Sequence, residues 1–548
     1  MTAFSIYQFK CTSCLQPDSN FPTYLTWITF CRQTTTAAMM EHTSQDFRDV
    51  EEEKKTDNTS NAMLVLGGTT TNASIAVATF EEQNFSFFSV LGIGYSVTNS
   101  AMAILASLAT AIGSGGPVSL IWGQIGIFFI ALCFAVTLGE FSSAMPNAAG
   151  QSYWVGRLAP DRVRRLLAFN TGFLAWASSI CIVASGTLLL PQMAIGIYML
   201  ERPNFVYQPW MGLVGFQLTN FTIFFLNTVS RFLPTISRAS MLWSMLSLVI
   251  IFISMLAASP AKQSASFVFT DFINLSGWKD PVAFMTGIIG VNWGYSCLDA
   301  CCHIAEEVPN PERNIPKVLL ATVIVGFLTA FPLTIAALFS MGDIVEVITT
   351  RTMVPSLQLF LQVFSGNTAG AAALQSLIIV VFAGSIFGAH TWQSRLCWTF
   401  ARQGGLPFQK QFGSIAPKPF GVPIAAHLLS CCMVSVLGFL YLGSTTAFNA
   451  FVGAALHLQN LSYSICVICL FIHGRSNLAH GPFWFPKLGA FCQCVVIFWT
   501  LYSLVMYSFP PAYPTTVTTM NYASVVLVAI IVLINIGWVS YGRKTFIC

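Results

Sequence analysis

The sequence predicts an all-α integral membrane protein with twelve transmembrane helices. Three observations support this prediction: 8% of the side chains are charged, 55% are hydrophobic, and the apolar residues are grouped in long runs. Globular chains carry roughly 25% charged residues, and about 20 apolar residues are enough to cross the hydrocarbon core of a bilayer. The net charge of +4 is too small to indicate a nucleic-acid partner.

Residues 1–84 differ in composition from the remainder of the chain. Dense charge over 41–55 is followed by a stretch rich in Ser, Thr and Asn over 56–79. Such a segment cannot bury enough apolar surface to fold alone, so we expect a disordered cytoplasmic tail. Met39 and Met40 stand just before the charged run, which leaves 39 or 40 as an alternative start of the protein.

The apolar runs after the tail predict a twelve-helix domain at 85–541, followed by a short cytoplasmic C-terminus at 542–548. Each run is long enough for one passage through the lipid bilayer. We place the spans near 86–111, 117–140, 166–190, 210–230, 238–258, 282–303, 317–341, 369–391, 421–442, 445–471, 484–507 and 521–541.

The basic residues between the spans indicate the orientation. If the N-terminus is cytoplasmic, sixteen Lys and Arg residues outside the tail fall on the cytoplasmic side, and only Arg202, Lys262, Lys279 and Arg351 fall on the outer side. Lys and Arg accumulate in the cytoplasmic loops of membrane proteins. We therefore predict a multi-pass protein with both termini in the cytoplasm, in the plasma membrane or, as the alternative, in the vacuolar membrane.

Neither a metal centre nor a disulfide scaffold is predicted. Most of the 16 Cys lie in apolar stretches, where Cys behaves as a small apolar side chain. Cys11 and Cys14, with Cys31 nearby, lack the second pair of ligands that a zinc knuckle needs. Asn274 begins an Asn-Leu-Ser sequon in a predicted outer loop, which makes it a glycosylation candidate.

The sixth span does not fit a simple helix. Over 287–303 it reads GIIGVNWGYSCLDACCH, so that glycines, an Asn and a Ser cluster at mid-membrane depth. Irregular backbone is tolerated there only where it is buried in protein or lines a cavity. A charge at that depth is costly and usually functional, which makes Asp299 a candidate functional residue. The alternative is close packing of small residues, with Asp299 bonded to a neighbouring Ser or Asn.

The first span has a comparable interruption. Gly92, Gly94, Ser96 and the run at 98–100 crowd its first half. Interruptions in the first and sixth of twelve spans are what an inverted repeat of five helices would produce. We therefore predict a five-plus-five inverted repeat with broken helices 1 and 6. Helix packing is again the alternative at each position.

Acidic residues stand at the inner end of the sixth span. Glu306 and Glu307 precede Pro309 and Pro311, which end this helix before Pro316 begins the next. Either carboxylate could pair with cytoplasmic Arg residues and close an inner gate. A solvated loop is the equally weighted alternative.

The same stretch carries a resemblance to a known family. From Asp299 to Pro316 it reads D-A-x-x-H-x-x-E-E-V-x-N-P-x-R-N-x-P. This motif resembles the helix-six signature of the amino acid–polyamine–organocation superfamily, and more narrowly that of the fungal amino acid/choline permeases. The stretches at 115–154 and 394–407 are similar to that group's second helix and its loop after helix eight. The resemblance covers about residues 80–540.

The resemblance implies a secondary active carrier of a small amine or amino acid, such as choline or GABA, that works by alternating access. The substrate would lie between broken helices one and six and helices three and eight. The implied substrate contacts are Asn99, Ser100, Ala101, Ala103, Trp293, Tyr295 and Ser296. The implied gate or proton-coupling residues are Asp299, Glu306 and Glu307.

The sequence departs from the family pattern at two places. Ala101 and Ala103 stand where family members commonly have Trp and Gly, which changes the implied substrate contact. Gln403 stands where the loop after helix eight usually has Asp, which removes a charge beside the implied inner gate.

Other classes of function are less well supported. No Gly-x-x-x-x-Gly-Lys motif indicates ATP as an energy source, no HExxH or GxSxG motif indicates an enzyme, and no repeated filter sequence indicates a channel. No cofactor is expected, whereas proton coupling stays open. A nutrient sensor on the same fold and an exporter of an amine-containing metabolite remain alternatives.

Overall fold

The computed structural model describes residues 85–517 and 519–548. The predicted tail at 1–84, with the alternative start and with Cys11 and Cys14, lies outside the described residues. Within the described residues the protein is all-helical and has no strand, although one isolated β-bridge joins Ser114 to Asn274.

The α-helices are numbered here in chain order. The first ten are α1 Phe87–Thr98, α2 Ser100–Ala106, α3 Leu108–Gly113, α4 Gly116–Ala144, α5 Gln151–Leu158, α6 Arg164–Glu201, α7 Pro209–Leu226, α8 Leu233–Ala258, α9 Ala265–Phe269 and α10 Asp280–Trp293. They are followed by α11 Pro311–Ser340, α12 Ile344–Ile348, α13 Pro355–Val363, α14 Thr368–Arg402, α15 Gln409–Phe412, α16 Ile424–Gly443, α17 Thr445–His473, α18 Pro486–Met506, α19 Ala523–Gly537 and α20 Arg543–Thr545.

Ten helical segments in the described part of the chain are long and apolar enough to cross a membrane. Each predicted span overlaps a helix. Two predicted spans fall outside this set of ten: the span at 210–230 coincides with the 18-residue helix α7, and the span at 282–303 is interrupted. The prediction of an all-α membrane protein is confirmed at this level.

The first interruption lies between α1 and α2, where the sequence places it. Asn99 separates the two helices with φ 35° and ψ 57°, in the left-handed region, which Asn tolerates better than most residues. The Nδ2 of Asn99 donates a hydrogen bond of 3.2 Å to Ser244 Oγ on α8. The interruption is therefore fixed to a neighbouring helix.

The second interruption follows α10, also where the sequence places it. The chain turns after Trp293, passes through Cys297 at φ 64°, and continues as a 3₁₀ segment over Leu298–Glu307. This segment is itself kinked at Ile304, where φ is −109° and ψ is 16°, so it consists of short 3₁₀ pieces. A Cβ atom at Gly294 would lie 3.3 Å from Ser100 O, so the two interruptions are adjacent in space.

Both ends of the described chain lie on one side of the helix bundle. Phe85 N donates to Glu307 O, and Ile547 N donates to Gln403 O in the loop that follows α14. We call this side the terminal side and the opposite side the far side. Phe546 is buried, so the predicted C-terminus at 542–548 packs onto the terminal side.

Candidate functional site

Two cavities open around Trp293 on the far side of the bundle. Their volumes are about 530 Å³ and about 350 Å³. Both are lined by Ser107, Trp293, Asn449 and Val452, so they meet at these residues. Small-molecule sites commonly have volumes of about 300–1,000 Å³. The cavities are therefore large enough to receive a small solute.

The lining of these two cavities carries no Asp, Glu, Lys or Arg among the described residues. Hydroxyl and amide groups provide its polar surface. The aromatic side chains that line it are Trp293, Tyr441, Phe448, Tyr507, Phe509 and Tyr522. Because an aromatic face attracts a cation without carrying a charge itself, this lining suits a small ammonium compound.

A tyrosine pair borders the smaller of these cavities. Tyr207, in the loop between α6 and α7, has its hydroxyl 2.9 Å from that of Tyr441. Burial, followed by the contact with Tyr441, raises the pKa of Tyr207 above its ordinary value. Tyr207 is therefore uncharged at neutral pH, in keeping with the uncharged lining.

A third cavity lies between the far-side cavities and Asp299. Its volume of about 20 Å³ is enough for roughly one water molecule. Tyr295, Ser296, Gln459 and Tyr463 are among its lining residues, and Leu456 lines both this cavity and the one of about 530 Å³. The small cavity and the cavity of about 530 Å³ are therefore neighbours, with Leu456 in the wall of both.

Asp299 is the centre of a buried hydrogen-bond network. Its Oδ1 accepts from Tyr463 at 2.6 Å and from Gln459 at 3.2 Å, both on α17. Its Oδ2 accepts from Gln151 at 2.7 Å, on α5, and lies 3.2 Å from His303 Nε2. Asp299 is 1% exposed and lines none of the three cavities. Because protein donors occupy both of its oxygens, the carboxylate does not present a free counter-charge to a solute in these cavities.

Two ion pairs join the segment after Asp299 to α14. Glu307 accepts from Arg395 through both oxygens, at 3.0 Å and 3.2 Å, and both side chains are buried. Glu306 pairs with Arg402 at 3.0 Å, and these two side chains are partly exposed. Of the two alternatives that the sequence leaves open for Glu306 and Glu307, the pairing with Arg is therefore the one observed.

A further buried carboxylate ties the loop after α17 to α4. Glu140 accepts hydrogen bonds from Arg475, Gln493 and the backbone N–H of Phe485. The guanidinium of Arg475 lies 4.1 Å from the ring centroid of Trp484. With the two other ion pairs, this contact gives three Glu–Arg pairs on the terminal side among the described residues.

The structure divides the predicted substrate contacts into two groups. Trp293 lines the two large cavities, and Tyr295 and Ser296 line the small one. Asn99, Ser100, Ala101 and Ala103 are all buried and line none of these three cavities. Their environment is protein, because the first interruption packs against α8 and against Gly294.

Asn274 lies on the far side, in the loop before α10. Its Nδ2 donates to Trp278 O at 2.7 Å and to Asp280 Oδ1 at 2.9 Å. Its Oδ1 accepts from Ser276 Oγ at 2.7 Å. The amide thus ties this loop together, and its glycosylation stays a prediction.

Sequence reasoning missed several polar residues of the site. Gln459 and Tyr463 are four residues apart in the tenth span, a spacing that places both on one helix face. Outside the site, His427 was also missed; its Nε2 lies 3.0 Å from Nδ1 of His390 in a buried pair. Polar residues at helical spacing inside an apolar span were the available signal.

Comparison with known proteins places these observations in a family context. Residues 85–532 match the sequence model of the amino acid permease family. The chain is 41% identical over 466 residues to a choline transporter of Saccharomyces cerevisiae, covering 85% of this chain and 82% of the relative. It is 38% identical over 465 residues to a swainsonine transporter of Arthroderma benhamiae, covering 85% and 92%.

A more distant relative is the GABA-specific permease of Saccharomyces cerevisiae, which is 26% identical over 491 residues, covering 85% of this chain and 82% of the relative. All three relatives are named transporters or permeases. The resemblance inferred from the sixth-span motif is confirmed, as is the prediction of a membrane carrier.

Proposed function

This chain belongs to the amino acid permease family of membrane transporters, and we propose that it carries a small amine or amino compound by alternating access. The observation that carries the proposal is the contrast between the uncharged, aromatic cavities around Trp293 and the ion pairs on the terminal side. A solute enters from the far side while the terminal side is closed. Separation of the ion pairs then opens the terminal side.

The proposed topology has twelve spans in a five-plus-five inverted repeat. The overlap of each predicted span with a helix supports this count, and the interruptions at Asn99 and after Trp293 support broken helices 1 and 6. The excess of basic residues in alternate loops supports a cytoplasmic terminal side. The far side then faces the exterior, and the plasma membrane is the proposed location.

The proposed solute is choline, GABA or a related small ammonium compound. An ammonium gains ~0.5–2 kcal/mol from an aromatic face, and Trp293, Tyr507 and Tyr522 provide such faces. Similarity to a choline transporter and to a GABA-specific permease supports this class of solute.

Competition uptake tests the proposed function. The protein is expressed in a host that lacks its own amine and amino-acid permeases, and labelled choline, GABA and a neutral amino acid are supplied with and without a proton uncoupler. We expect saturable uptake of one of these solutes. Absence of uptake of all three, with the protein at the cell surface, would contradict the proposal and favour a sensor or an exporter.

A further inference from the structure

A short segment that follows α19 crosses the terminal side of the bundle. It consists of residues 541–547, which leave the π-helical turn Trp538–Gly542 and pass through α20. Its basic residues Arg543 and Lys544 are exposed, whereas Phe546 is fully buried. A large aromatic side chain contributes much of its stabilising energy through burial, so this residue anchors the segment. We call residues 541–547 the strap.

Arg165 fastens the strap to the beginning of α6. Its Nε and Nη2 donate to the backbone oxygen of Phe546 at 3.0 Å and 2.7 Å, and Nη2 lies 3.1 Å from the backbone oxygen of Arg543. The ring of Phe546 packs edge to face on that of Phe169, with the centroids 5.5 Å apart. Hydrogen bonds from a charged donor are stronger than those between neutral groups. Arg165 and Phe169 therefore hold one edge of the strap on α6.

The other edge of the strap is bonded to the loop that follows α14. Three strap groups donate to backbone oxygens of this loop: Ile547 N to Gln403 O at 2.8 Å, Thr545 Oγ1 to Gly404 O at 2.9 Å, and Tyr541 Oη to Leu406 O at 2.8 Å. Gly404 has a φ of 75°, and a Cβ atom there would collide with Thr545 O. Because glycine has no Cβ, the loop can approach the strap this closely. The strap therefore joins α6 to the end of α14.

The strap holds the part of α14 that carries the arginines of two ion pairs. Arg395 and Arg402 lie on the last turns of α14 and pair with the glutamates of the 3₁₀ segment. The strap contacts Phe400, between them, through the ring of Phe546 at 5.9 Å, and it bonds to Gln403, next to Arg402. An ion pair lasts only while both long side chains are held in one geometry. Restraint of the backbone on either side of Arg402 limits the movement of the helix end and so favours that geometry.

We infer that the strap keeps the terminal side closed by holding the end of α14 where Arg395 and Arg402 reach their glutamates, and that Arg165 is the positioning residue of this closure. The inference rests on the proposed function, in which the terminal side opens during transport. Among the described residues that line the two large cavities, none belongs to the strap, so the strap acts through α14 and not on the solute. Release of the strap should make separation of the ion pairs easier.

Gln403 extends the connection to α5. Its Oε1 lies 2.8 Å from Ser152 Oγ, and its backbone oxygen accepts from the strap. The neighbouring residue Gln151 donates to Asp299 at 2.7 Å. An amide at position 403 makes this contact without placing a second carboxylate next to Arg402, which already has a glutamate partner. The place where the sequence departs from the family pattern thus belongs to the junction of the strap, α5 and α14.

The first arm of the test measures opening of the terminal side and needs no solute. The purified full chain is treated with a water-soluble thiol reagent, and labelling of Cys466 is followed by peptide mass spectrometry. Cys466 is buried, and its Sγ lies 3.6 Å from the backbone oxygen of Gln151, so the reagent reaches it only when α5 and α17 separate. R165A should raise its labelling rate about two- to tenfold, as expected for the loss of one hydrogen bond. R165K, which can keep one of the bonds, should give a smaller rise.

R162A is the matched control. Arg162 is an exposed arginine three residues before Arg165, and among the described residues it has no hydrogen bond to the strap, so R162A should label Cys466 at the wild-type rate. Cys431, which is buried between α7 and α16, reports general unfolding in the same samples. F546A removes the buried anchor and should raise the labelling of Cys466 at least as much as R165A. Wild-type labelling of Cys466 in both variants, or an equal rise at Cys431 in R165A, would overturn the inference.

The second arm uses proteoliposomes that are preloaded with a solute that the wild type transports. R165A should raise the rate of exit through the terminal side about two- to tenfold, but leave the KM for entry from the far side near that of the wild type, because the strap lines neither large cavity. An unchanged exit rate, or a change in KM alone, would overturn the role of Arg165 as a positioning residue. Absence of any transport by the wild type would instead refute the carrier proposal, while the labelling arm would still decide whether the strap holds the terminal side closed.

Discussion

The terminal side and the far side of this bundle are held by different kinds of contact. On the terminal side, Glu306 and Glu307 are joined to Arg402 and Arg395, and Asp299 is surrounded by donors. On the far side, the cavities around Trp293 have no charged residue in their described lining. The Glu–Arg pairs of the described residues thus lie on the terminal side, and under the proposed function a solute that enters from the far side breaks none of them.

Removing the buried guanidinium should have the largest effect on this comparison. Arg395→Ala leaves Glu307 buried without its bidentate partner, which should destabilise the protein by about 3–5 kcal/mol, as for other broken buried pairs. Thermal unfolding of the purified protein measures the loss. A variant within about 1 kcal/mol of the wild type would show that this pair does not hold the terminal side.

A change at the far side should alter solute binding more than folding. Trp293→Ala removes one aromatic face from both large cavities, and the KM of the transported ammonium solute should rise about 2- to 30-fold, the equivalent of ~0.5–2 kcal/mol. Uptake kinetics at equal surface expression measure this. Trp122→Ala is the control, because Trp122 is 54% exposed and lines neither cavity; equal effects of the two changes would contradict the assignment.

The partly exposed ion pair should have the smallest effect. Arg402→Ala removes the contact with Glu306 and the position of Arg402 over the ring of Trp398. Such a surface pair is worth about 0–1 kcal/mol, so the rate of solute exit to the terminal side should rise by no more than about fivefold. Exit from preloaded proteoliposomes measures this rate. If Arg402→Ala lowered the free energy of unfolding as much as Arg395→Ala does, the distinction between the two ion pairs would be lost.

The sequence contains enough information for the architecture and for the interruptions. Apolar runs give the helices, and the polar clusters around Asn99 and Asn292 mark the places where α1 and α10 end. These are local signals, because each depends on residues that are near in the chain. For Glu306 and Glu307, by contrast, the sequence left the pairing with Arg and a solvated loop equally weighted.

The partners inside the site could not be predicted in the same way. Gln151 and Gln459 reach Asp299 from positions 148 and 160 residues away in sequence, and no periodicity relates such distant side chains. The same limit explains why the sequence did not show that Asn99 and Ala101, the implied substrate contacts, are enclosed by protein. Tertiary packing decides which face of an interrupted helix borders a cavity.

The most direct test of the account is solute protection of a cysteine at Asn449, which lines both large cavities and is exposed. Intact cells that express Asn449→Cys are treated with a membrane-impermeant thiol reagent, with the parent protein as the control for native cysteines. We predict labelling from outside that the transported solute slows. Labelling that the solute does not change, or that occurs only in inside-out vesicles, would contradict the two large cavities around Trp293 as the place where the solute enters from outside.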